Sequence, residues 1–119
     1  MHQINPGNHK NNLKKMSLLS VTFHSTADIQ NQWSNYLTTE LHQMVENLLD
    51  VEKYILSEVE SEMVSEGQNT SLLLMFADAE KRQDFVEIEL ANITEIIEKK
   101  FADQVMVFVT FLNPSKTRF

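Results

Sequence analysis

Apolar residues recur with strand-like spacing in four segments of the chain and with helical spacing in two longer ones. The first strand is predicted over residues 17–24, where Leu19, Val21 and Phe23 share one side. A period of two with β-branched and aromatic residues is typical of a half-buried strand. Similar runs predict further strands over residues 53–64, 70–77 and 104–112.

Two amphipathic helices separate these strands, one over about residues 29–48 and one over about residues 79–101. Asp78 is a good N-cap for the second helix, and the pair Ser25 and Asp28 has the spacing of a capping box for the first. The order strand, helix, strand, strand, helix, strand predicts an α+β, ferredoxin-like βαββαβ fold. Right-handed connections then place both helices on one face of a four-stranded antiparallel sheet, with the first and third strands central.

The third and fourth predicted strands are apolar on both sides, although a sheet face that meets water should carry polar residues. Leaving these side chains exposed would create an apolar patch larger than soluble monomers usually tolerate. A second copy of the chain, packed sheet to sheet in a two-fold homodimer, is the simplest cover. An apolar ligand groove or a different protein partner are the alternatives. The residues predicted to form this interface are Leu18, Tyr54, Leu56, Leu73, Met75, Met106 and Phe108.

Composition narrows the classes of function. The chain has 119 residues, no cysteine and a formal net charge of −7. Absence of cysteine excludes a disulfide scaffold and a cysteine-ligated metal. The acidic balance argues against nucleic acid as a partner, because binding phosphates needs clustered Lys and Arg. No apolar run is long enough for a membrane span, and no apolar segment of the kind found in secretory signals follows the first charges, so we expect a cytoplasmic protein.

The first residues differ from the rest of the chain. Residues 1–15 are polar, rich in Asn and without helical or strand periodicity, and they predict a disordered tail. Residues 16–119 are predicted to form a single domain, which length alone also favours. Met16 stands directly before the first strand and is a second candidate start residue.

Several short patterns resemble a known family. They are Trp33 with Leu37, Glu40 with His42, and the segment KKFADQVMVFVTFL of residues 99–112. Together they resemble a bacterial domain-of-unknown-function family of small ferredoxin-like proteins, although the Ile-Pro that usually follows the helix histidine is missing here. The resemblance implies the same fold and a dimer of the dimeric α+β barrel type. It implies no chemistry, because that family has none assigned.

Two histidines and one tryptophan are the candidates for chemistry. A dimeric α+β barrel enzyme, cofactor-free or haem-dependent, could use a cleft near His24, Trp33 and His42, with an imidazole as base or as iron ligand. In a continuous helix, however, His42 projects away from Trp33, and a lone histidine without an orienting partner is weak support for catalysis. We therefore favour a non-catalytic homodimeric binding or assembly module, without cofactor, and keep the enzyme as the alternative.

Acidic residues alternate along the second predicted strand. Glu58, Glu60 and Glu62 offer oxygen ligands for a divalent cation, but no glycine-shaped ligand loop accompanies them. On an edge strand, such charges prevent edge-to-edge aggregation. We therefore expect edge protection here and no metal site.

Overall fold

Four strands form the sheet in the computed structural model, which describes residues 15–60 and 66–118. They are β1 (Ser17–Ser25), β2 (Val51–Glu58), β3 (Gln68–Phe76) and β4 (Val105–Leu112). All neighbouring strands are antiparallel, and the order across the sheet is β2-β3-β1-β4. The ferredoxin-like α+β fold with central first and third strands is thereby confirmed. Residues 1–14 of the predicted tail and residues 61–64 of the predicted second strand lie outside the described residues.

Two long helical segments connect the strands. Helix α1 denotes residues 27–46 and helix α2 denotes residues 79–101. Helix α1 consists of a 3₁₀ turn (Ala27–Ile29), an α-helical stretch (Gln30–Tyr36), a π-helical turn (Leu37–Leu41) and a second α-helical stretch (His42–Glu46). Helix α2 consists of Ala79–Asp84, a π-helical turn (Phe85–Leu90) and Ala91–Phe101, and a 3₁₀ turn (Ala102–Gln104) leads into β4.

The two predicted helix starts have different outcomes. Asp78 caps α2 as predicted, because its carboxylate accepts a hydrogen bond from the backbone N–H of Lys81 at 2.9 Å. The predicted capping box at Ser25 is wrong. Ser25 is the last residue of β1, and its hydroxyl donates to the backbone oxygen of Gln68 instead.

The hydrophobic core lies between the helices and one face of the sheet. Leu19, Val21 and Phe23 of β1 are fully buried there, as the alternation in the sequence predicts. Trp33 of α1 packs over this face with its ring centroid 5.5 Å from that of Phe23. The indole N–H donates to the buried hydroxyl of Thr70 at 3.2 Å, so the one polar atom of the Trp33 side chain is satisfied within the core.

The face assignment of β2 differs from the prediction. Tyr54 lies opposite Leu74 and Leu56 lies opposite Leu72, and both pack against the core beneath the helices. The prediction that Tyr54 and Leu56 lie on the sheet face away from the helices is therefore wrong, and Ile55 lies on that face instead.

Apolar residues in both phases of this strand explain the error. Ile55 alternates with Tyr54 and Leu56, so the pattern of the predicted strand allows either set on the core face. Pairing with β3 decides the phase, and a β-bulge between Val51 and Lys53, where one residue is skipped, places Val51 on the same face as Tyr54.

Candidate functional site

The sheet face away from the helices carries large apolar side chains that the fold leaves without a cover. Cross-strand pairing arranges its side chains in rows that run from β2 to β4. In that order the rows are Lys53, Met75, Leu18 and Leu112; Ile55, Leu73, Ser20 and Thr110; Ser57, Ser71, Thr22 and Phe108; and, on β3, β1 and β4 alone, Asn69, His24 and Met106. We call this surface the open face.

Large apolar side chains on the open face are strongly exposed. Ile55 is 60% exposed, Phe108 50% and Met106 49%. Of the seven residues predicted for an interface, five lie on the open face: Leu18, Leu73, Met75, Met106 and Phe108. The centre of the face is more polar, because Ser20, Thr22 and Ser71 occupy it.

The two edge strands differ in how well they are protected. Strand β2 carries exposed Glu52, Lys53 and Glu58, and charges of this kind keep an edge from pairing with another chain. The prediction that β2 is an edge strand is thus confirmed, although Glu60 lies beyond its end. Strand β4 has no charge and no proline, and all of its residues from Phe108 to Leu112 are exposed. Since Val109 and Phe111 point to the helix side, β4 exposes apolar side chains on both of its faces.

The three side chains predicted to share an enzyme cleft lie in three separate places. Trp33 is 1% exposed in the core, between the sheet and the helices. His24 lies on the open face, with the whole thickness of the sheet between its ring and Trp33. His42 lies on the exposed side of α1. A single chain therefore assembles no cleft from these residues.

His24 has an orienting partner that sequence reasoning missed. Its Nδ1 lies 2.7 Å from the side-chain oxygen of Asn69, the residue opposite it on β3. Since an amide oxygen accepts hydrogen bonds, this contact suits the tautomer that carries its proton on Nδ1. Gly67 lies against the same ring. The pair is separated by 45 residues in sequence, so only the β1–β3 register reveals it.

His42 also has partners, on the other side of the sheet. Its Nε2 lies 3.4 Å from a carboxylate oxygen of Glu46, one helical turn later, and 3.5 Å from the hydroxyl of Tyr54. The Tyr54 hydroxyl donates to the same Glu46 oxygen. This hydrogen bond, followed by burial and by the negative charge of Glu46, raises the pKa of Tyr54 above its usual value. The spacing of four between His42 and Glu46 is the one signal in the sequence that could have indicated the cluster.

A cleft of about 360 Å³ adjoins His42. It lies between α1 and the edge strand β2, and Leu37, Thr38, Leu56, Ser57 and Glu58 complete its lining. Trp33 and His24 do not line it.

Residues 15–60 and 66–118 contain neither a cluster of metal ligands nor a helix that could span a membrane. No three His, Asp or Glu side chains in these ranges come close enough to hold a metal ion together. No helix in the same ranges combines the length and the apolar character that crossing a membrane requires.

Solved structures share this fold at low sequence identity. A hypothetical protein from Arabidopsis thaliana matches with a TM-score of 0.60 and 14% identity, over 95% of this chain and 100% of its own. A protein of unknown function from Nitrosomonas europaea matches with a TM-score of 0.59 and 11% identity, over 90% and 98%. A dimeric ferredoxin-like protein from an uncultured marine organism matches with a TM-score of 0.54 and 13% identity, over 87% and 97%.

Sequence comparison assigns the family. No curated protein matches the sequence. The resemblance inferred from the short patterns, to small ferredoxin-like proteins of unknown function, is confirmed. A family model described as Domain of unknown function (DUF4286) matches residues 16–115, which is most of the chain, and the protein therefore belongs to this family.

Proposed function

We propose that the protein is a non-catalytic homodimeric binding or assembly module whose two copies meet through the open face. The observation that carries this proposal is the set of large apolar side chains left in water on that face, of which Phe108 and Met106 are half exposed. Soluble monomers rarely leave a contiguous patch of this kind uncovered.

The polar residues of the open face favour a second copy over an apolar partner. Burying the hydroxyls of Ser20, Thr22 and Ser71 against hydrocarbon would cost free energy, since each would lose its hydrogen bonds to water. A two-fold interface is self-complementary, because each copy presents the same surface to the other. Hydroxyls can then face hydroxyls at the centre, while apolar side chains pack around them.

The fold comparison supports the same assembly. The marine relative with a TM-score of 0.54 is described as dimeric, so the ferredoxin-like sheet is compatible with dimer formation. The separate locations of His24, Trp33 and His42 support a role without catalysis. The net charge of −7 supports partners other than nucleic acid.

Molar mass in solution tests the proposal. Size-exclusion chromatography with light scattering at micromolar concentration should give the mass of two chains. Phe108→Lys places a charge among the apolar side chains of the proposed interface and should give the mass of one chain, with an unchanged circular dichroism spectrum. The matched control is Ile88→Lys, because Ile88 is 66% exposed on α2, away from the open face. A monomeric wild-type protein, or equal dissociation by both variants, would refute the open-face dimer.

A further inference from the structure

The cleft beside His42 lies on the helix side of the sheet, away from the open face. Its apolar wall is formed by Leu37, which is buried, and by the half-buried Leu56. Thr38, His42 and Glu58 supply polar groups around it. A volume of about 360 Å³ with an apolar lining and a few polar groups is typical of a site for a small ligand.

The Nε2 of His42 faces two oxygen atoms. It lies 3.4 Å from a carboxylate oxygen of Glu46 and 3.5 Å from the hydroxyl of Tyr54, which donates its own hydrogen bond to Glu46. The neutral tautomer that carries its proton on Nε2 suits both oxygens, and in that tautomer Nδ1 is an acceptor.

Thr38 and Glu58 add two further acceptors to the cleft. The Thr38 hydroxyl donates its proton to backbone oxygens of its own helix, those of Ser34 at 3.1 Å and Asn35 at 3.3 Å, so its oxygen can only accept from a ligand. Glu58 contributes a carboxylate. Three kinds of acceptor thus surround an apolar wall, and the complementary ligand group is a donor with a positive charge.

We propose that this cleft binds a small primary alkylammonium ion. A primary ammonium group carries three N–H donors, which match the Thr38 oxygen, the His42 Nδ1 and the Glu58 carboxylate. The alkyl chain of the ligand packs against Leu37 and Leu56. The net charge of −7 raises the local concentration of small cations and favours the same ligand class.

Calorimetric titration of the full-length protein tests the charge requirement. The probes are n-butylammonium, n-butanol and butyrate at one ionic strength and neutral pH. We expect saturable millimolar binding of n-butylammonium, weaker binding of n-butanol and none of butyrate. Shortening the probe to ethylammonium removes two methylenes and should weaken binding about fifteenfold, because each buried methylene contributes about fourfold. Butyrate binding as tight as that of n-butylammonium, or no effect of chain length, would overturn the proposal.

Two matched variants of β2 test the assignment to the cleft. Glu58→Gln removes the carboxylate with little change of shape and should weaken n-butylammonium binding about tenfold, the range of a charged hydrogen bond. Glu52→Gln removes one negative charge from the same strand, outside the cleft, and should leave binding unchanged. Equal affinities of the two variants would place the binding elsewhere. The Phe108→Lys variant should bind n-butylammonium like the wild type, so the ligand site and the dimer can fail independently.

Discussion

Gly67 is the residue at which backbone geometry most restricts the sequence. Its φ is +107°, a conformation that residues with a side chain rarely adopt. A Cβ at this position would overlap the backbone oxygen of Ser25 and would lie 3.1 Å from the ring of His24. We expect Gly67→Ala to lower the free energy of unfolding by about 1–3 kcal/mol, measured by urea denaturation.

The neighbouring residue provides the control for this prediction. Glu66→Ala changes an exposed residue beside Gly67 and should alter the free energy of unfolding by less than about 0.5 kcal/mol. If both variants unfolded at the same urea concentration, the positive φ of Gly67 would carry no special cost.

Tyr36 buries a hydroxyl that finds no hydrogen-bond partner among the residues that the structure describes. The side chain is 1% exposed and stacks on Trp33, so its ring contributes to the core while its oxygen loses water. We expect Tyr36→Phe to keep the fold and to raise the free energy of unfolding by up to about 1 kcal/mol. Tyr54→Phe is the contrasting variant. It removes a hydroxyl that is hydrogen-bonded to Glu46. Urea denaturation should therefore show no increase in the free energy of unfolding for this variant.

Tyr36 should also make the stability of the fold depend on pH in the alkaline range. Burial raises the pKa of Tyr36 above its usual value of 10.0, and the negative charge of Glu40 raises it further. Above about pH 10 the unfolded chain loses this proton while the folded chain keeps it, so stability falls as pH rises. The wild type should therefore lose stability between neutral pH and pH 11 more steeply than Tyr36→Phe, as followed by thermal unfolding. Identical slopes would show that Tyr36 titrates normally in the folded state.

At the scale of elements, Arg82 joins helix α2 to both β1 and β4. The side chain is 8% exposed, and its Nη1 donates to the backbone oxygens of Leu18 at 2.9 Å and Leu112 at 3.0 Å. The guanidinium carbon also lies 5.1 Å from the centre of the Phe111 ring. We expect Arg82→Met to lower the free energy of unfolding by about 2–3 kcal/mol, because two charged hydrogen bonds are lost.

Hydrogen exchange localises the effect of that substitution. Backbone amides at the end of β4 should exchange faster in Arg82→Met than in the wild type, because the strand end loses its attachment. The control is Lys81→Met, which removes an exposed ion pair with Asp50 at 3.6 Å and should cost less than about 1 kcal/mol. Similar losses in the two variants would contradict a special role for Arg82.

The elements differ in how far the sequence predicts them. Strand β1 is predicted correctly because its alternation is strict and one face is wholly apolar, as Leu19, Val21 and Phe23 show. Strand β2 has apolar residues in both phases, such as Ile55 and Leu56, so periodicity alone misplaces Tyr54. The type of each element thus follows from its local pattern. The sheet face to which a β2 side chain points depends instead on how β2 pairs with β3.

The candidate sites depend even more on long-range pairing. The partner of His24 is Asn69 across the sheet, and the partner of His42 on β2 is Tyr54, whose facing the bulge decides. Arg82 has the sequence context of an exposed helical residue, and its burial arises only where α2 meets the ends of two strands. Local spacing therefore indicates candidate residues but does not show which of them contact each other in the fold.

At the scale of the whole molecule, half of the large apolar side chains that are exposed among the described residues belong to one strand. Met106, Phe108, Val109 and Phe111 all belong to β4, the edge strand without charges, whereas the opposite edge carries Glu and Lys. Evolved proteins usually protect such an edge or cover it. The proposed dimer accounts for Met106 and Phe108, because the open face of one copy covers that of the other, whereas Val109 and Phe111 lie on the helix side.

Thermal unfolding should therefore depend on protein concentration. If a folded dimer unfolds to two separate chains, mass action stabilises the dimer as the protein concentration rises. A tenfold increase in concentration then contributes about 1.4 kcal/mol. Spread over the unfolding entropy of two chains of this length, that raises the Tm by about 3 °C. Scanning calorimetry from micromolar to millimolar concentration should show this rise for the wild type and for Ile88→Lys. Phe108→Lys should unfold at a lower temperature that is the same at every concentration, because no interface remains to be lost. A concentration-independent Tm in the wild type would mean that the open face stays unpaired in the folded protein.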